Sequence, residues 1–90
     1  MSNEQELLRL INVAIEAAKH VAAEATESWL SEDAANAQLV FEKLAEALKA
    51  GKLASPNGAG FGITKALGEW APEPLFAAGA AVEEFYMENF

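Results

Sequence analysis

From the N-terminus, Leu8, Ile11, Ile15, Ala18, Ala22, Ala25 and Trp29 recur at alternating steps of three and four, the period of one helical face. Leu7, Ala14 and Val21 widen this stripe, while Arg9, Glu16, Glu24 and Glu27 fall on the opposite side. Ser2 followed by Gln5 has the form of a capping box, so the pattern predicts a helix over residues 3–30. Its seam narrows from Leu and Ile to Ala, which lets a neighbouring helix approach closely. Ser31 is the expected N-cap of a second helix over 32–50, with Glu32 and Asp33 where the helix dipole favours negative charge. Ala37, Phe41, Leu44 and Leu48 mark its buried face and Gly51 its stop. A link this short predicts an antiparallel pair.

The second half changes character, holding all three prolines, five of the six glycines and four of the five phenylalanines. Ser55, Pro56, Asn57 and Gly58 match a type I turn. A short third helix over 60–70 follows, with Ile63, Leu67 and Trp70 on its buried face, and "APEP" breaks the chain before a last helix over 74–89. No stretch alternates with period two, so no sheet is expected. The expected fold is all-α: one domain over 1–90, a compact antiparallel four-helix bundle of two long helices, one short and one medium. Its core includes Leu8, Ile11, Ile15, Phe41, Leu44, Leu48, Leu67, Val82 and Phe85.

The last helix carries more large apolar side chains than one face can hold. At about 100° per residue, Leu75, Ala78, Val82 and Phe85 share a face, flanked by Gly79 and Tyr86. A second stripe of Phe76, Ala80, Met87 and Phe90, with Glu83 in its middle, is turned away from the first. Only the strip around Glu84 and Glu88 is plainly polar. The stripe is either buried inside the bundle or exposed as an aromatic and Met patch, the composition of interface cores. Phe61, opposite the third helix's buried side, and Leu39, among Glu42, Lys43 and Glu46, favour the second reading. The expected partner-binding residues are Phe61, Phe76, Ala80, Glu83, Met87 and Phe90.

Charge and candidate chemistry narrow the function further. Fourteen acids against six bases give a net charge of −8, which repels phosphate backbones and anionic membranes and favours a basic partner. No cysteine is present, which removes disulfides and sulfur-ligated zinc. The acidic start "MSNEQELLRL" has no basic, apolar signal pattern, so an intracellular setting is the default expectation. "GAGFGITK" lacks the third glycine of a dinucleotide fingerprint and the Lys-Ser/Thr of a nucleotide loop. His20, the single imidazole, projects among Arg9, Glu16 and Glu27 on a solvated face, with no Glu three residues before it to build a dimetal site. Neither catalytic residues nor a metal or cofactor are expected.

In composition the chain resembles computationally designed small helical binders. Glu is used thirteen times and Asp once, alanine twenty times, and caps stand where design rules place them. That resemblance implies a regular scaffold carrying one irregular apolar patch. The expected function is a non-enzymatic protein-binding module, a binder or inhibitor, whose C-terminal apolar patch and acidic rim dock on a protein target with a basic or apolar groove. A small-molecule or haem-binding bundle and a self-associating homodimer are the alternatives.

Overall fold

A computed structural model describes residues 2–53 and 62–90. They form four helices and no strand: α1 (Asn3–Glu24), α2 (Ser28–Lys49), α3 (Ile63–Gly68) and α4 (Glu73–Asn89). The expected turn at Ser55–Gly58 and residues 60 and 61 of the expected third helix lie outside the described residues. The radius of gyration is 12.7 Å, close to the roughly 12 Å of a compact chain this long.

The capping box of α1 is made: Gln5 N–H donates to Ser2 Oγ and Ser2 N–H donates to Gln5 Oε1, each at 3.1 Å. The helix ends at Glu24, six residues earlier than its apolar periodicity predicts, because Ala25 turns extended (φ −65°, ψ 131°). α2 then starts at Ser28 behind Glu27, which provides no side-chain cap. Ser31 is therefore an interior helical residue whose N–H donates to Glu27 O at 3.2 Å, not the expected cap. Packing decides this turn. Val21 is the last buried residue of α1 and Ala34 the first of α2, so the chain must reverse between them. Trp29, expected to end the first seam, falls after the break and is 51% exposed.

α2 stops as expected. Gly51 takes φ 70°, its N–H donates to Leu48 O, and Lys52 N–H donates to Ala47 O at 2.8 Å, the paired bonds of a Schellman motif. Gly62 (φ 77°) leads into α3, and Pro72 stands as the N-cap of α4. α1 packs against both α2 and α4, while α3 packs against α4.

The buried seam of α1 is Leu7, Ile11, Ala14, Ala18 and Val21, one step round from the expected line, and Leu8 and Ile15 are half-buried at its edge. In α4 the fully packed positions are Leu75, Gly79, Val82 and Tyr86, with Ala78 and Phe85 at the margin. Leu44 is likewise half-buried, with Phe41, Ala45 and Leu48 inside. Gly79 explains the rotation of α4. A Cβ there would overlap Leu67 Cδ1 and stand 3.2 Å from Ile63 Cγ2 and 3.3 Å from Phe41 Cζ. The missing side chain is a notch into which α3 and Phe41 settle, and so it points inward.

Candidate functional site

Most of the second stripe of α4 is occupied by the chain itself. Phe76 is half-buried beside α3, where a Cβ on Gly68 would lie 3.4 Å from its ring. Phe90 is half-buried and stacks on Tyr86 with ring centroids 5.9 Å apart. Both pack against the core, which differs from the free aromatic anchors that the sequence suggests. Ala80 is half-buried, Met87 remains 44% exposed, and Phe61 lies outside the described residues.

Glu83 has an internal task. Ile63 N–H donates to its Oε2 and Thr64 N–H to its Oε1, both at 3.2 Å, so a carboxylate from α4 satisfies the first free donors of α3. Partial burial pushes its pKa up, but hydrogen bonds from the Thr64 side chain and from the backbone of Thr64, Ile63 and Gly62 outweigh this and hold it below the usual glutamate range. The sequence places Glu83 in the middle of the second stripe, facing a partner, because a contact twenty residues distant leaves no local signal.

Because α3 leans on α4, an open apolar groove is left between α3 and α2. Ala37, Val40 and Phe41 line it from α2, Ile63, Ala66 and Leu67 from α3, and Trp70 from just beyond α3, with Asp33 and Asn36 as its polar members. Its volume is about 210 Å³. Phe41 is buried at its floor while Val40 is 48% exposed. The sequence contained one signal for this site: Leu39, Val40 and Phe41 are three consecutive apolar residues, more than one helical stripe can bury.

Two wider hollows have charged rims. One, of about 460 Å³, brings Thr64 and Ala80 together with Glu83, Glu84, Met87 and Glu88. The other, of about 520 Å³, lies where α1 meets the α3–α4 link and includes Ala17, His20, Leu30, Pro72 and Pro74 between Glu16 and Glu24. His20 is exposed at its edge, with Nε2 3.3 Å from Glu24 Oε2, as its projection onto a solvated face implies. Among the described residues no cluster of three or more His, Cys, Asp or Glu could hold a metal ion, and no helix is long and apolar enough to cross a membrane. No protein family, curated protein or solved structure matches this chain.

Proposed function

We propose that this chain is a non-enzymatic protein-binding module whose docking site is the α2–α3 groove, which takes up a large apolar side chain of a partner protein. The observation that carries this reading is the groove itself: an apolar trough over Phe41, open to solvent and bordered by exposed Val40 and half-buried Trp70. Its volume of about 210 Å³ falls below the roughly 300–1,000 Å³ of small-molecule sites, which favours a single side chain over haem or a free ligand. Aromatic anchors in such pockets dominate many protein interfaces. The C-terminal half still supplies one wall through Ile63, Leu67 and Trp70. We read the scaffold as one antiparallel bundle of three long helices with α3 laid against α4, and the regular α1–α2 pair as the rigid side of the site.

The test begins with peptides selected by display on the folded protein. Selected peptides should shift the amide resonances of Val40, Phe41, Leu67 and Trp70. They should also lose binding to Val40→Asp, whose stability should change by no more than about 0.5 kcal/mol because the side chain is half exposed. Shifts centred on Met87 and Glu84 instead would return the docking surface to the outer stripe of α4.

A further inference from the structure

We infer that the groove's partner is a basic amphipathic helical segment, which seats one large apolar side chain over Phe41 and places an arginine at Asp33. This rests on the groove being the docking site and adds the chemistry of its occupant. Among the described residues Asp33 is the single charged one lining the groove, and it is negative. It is half-buried, and among the described residues its side chain belongs to neither ion pair and makes no hydrogen bond. A carboxylate in that position keeps its full capacity to accept from a cation on an incoming chain.

Two indoles stand near it. Trp70 lines the groove, and Trp29, 51% exposed, lies four residues before Asp33 on the same side of α2. A guanidinium is flat, hydrogen-bonds a carboxylate in bidentate fashion and stacks on indole faces, whereas an ammonium is a point charge, so this surrounding selects Arg over Lys. The three lysines on these elements, Lys43, Lys49 and Lys65, are exposed and do not line the groove. The net charge of −8 adds a long-range field that draws in cationic chains. The same charge repels an acidic peptide and a second copy of this chain.

Spacing fixes the form of the segment. Asp33 and Phe41 are eight residues apart on α2, about 12 Å at 1.5 Å per residue. A helix laid along the groove covers that distance with an apolar anchor at position i and an arginine near i+7, on one face.

The experiment uses the whole chain and three labelled synthetic amphipathic helices with the same apolar face. Their polar face carries Arg, Gln or Glu. The Arg peptide should bind in the groove, shift the Val40 and Trp70 amides, and weaken as salt rises. Asp33→Asn should weaken it by about 3- to 10-fold, the range between an exposed and a desolvated charge pair, and flatten the salt dependence. Asp33→Lys should reverse the preference towards the Glu peptide. If Arg and Gln peptides bind the groove equally, and Asp33→Asn changes neither, the arginine assignment is overturned while the groove remains a docking site. If no peptide shifts groove amides, both readings fail together.

Discussion

Gly79 and Gly68 are both helical glycines, but the space around them differs. A methyl group at position 79 would intrude on Leu67, Ile63 and Phe41, whereas at position 68 it would meet Phe76 at an ordinary 3.4 Å. Helix propensity favours alanine over glycine by about 1 kcal/mol at either site, and overpacking a core costs about 1–3 kcal/mol. Gly79→Ala should therefore destabilise by about 1–2 kcal/mol, and Gly68→Ala should stabilise by about 0.5 kcal/mol. Denaturant unfolding of the two variants checks this, and equal effects would mean that α3 does not seat in the notch. Phe41, the largest fully buried side chain among the described residues, sets the upper end of the scale: Phe41→Ala should cost about 3–5 kcal/mol.

α3 spans six residues, about half the length at which an isolated helix is even marginal in water, so its contacts with α4 and the Glu83 carboxylate must hold it. The pKa of Glu83 is lowered by folding, so the stability it contributes is complete above the ordinary glutamate value of about 4.3 and is lost as pH falls through the depressed value. The protection of the Ile63 and Thr64 amides, taken relative to their intrinsic exchange rate at each pH, should fall on acidification within that range. In Glu83→Gln the same amides should be less protected at neutral pH and lack the carboxylate-dependent step. At this scale periodicity locates the four helices, and glycine and proline chemistry locate the stop at Gly51 and the break at "APEP", although α3 ends at Gly68, before the expected residue 70. It missed the break at Ala25, because alanine and glutamate favour helix and only tertiary packing requires the turn. It also assigned Phe76 and Phe90 to an outer surface, since a projection shows that two stripes exist but not which neighbour covers the second. Beyond the apolar run of Leu39, Val40 and Phe41, the groove was illegible for a related reason: it exists where α2 and α3, distant in sequence, fail to close on each other.

Across the whole molecule, fourteen acids and six bases repel one another more than they attract. Raising salt from about 0.01 to 1 M shortens the Debye length from about 30 to 3 Å, so the melting temperature should rise with salt. A fall would mean that specific ion pairs outweigh the net charge. The attachment of α3 to α4 has a further consequence for recognition. The groove is complete only in molecules whose α3 is seated, so any occupant binds with an apparent affinity scaled by that fraction. Substitutions that never touch the occupant can then tune binding. Gly68→Ala, by favouring the seated form, should tighten it, and Glu83→Gln should loosen it, leaving the chemistry of the groove unchanged.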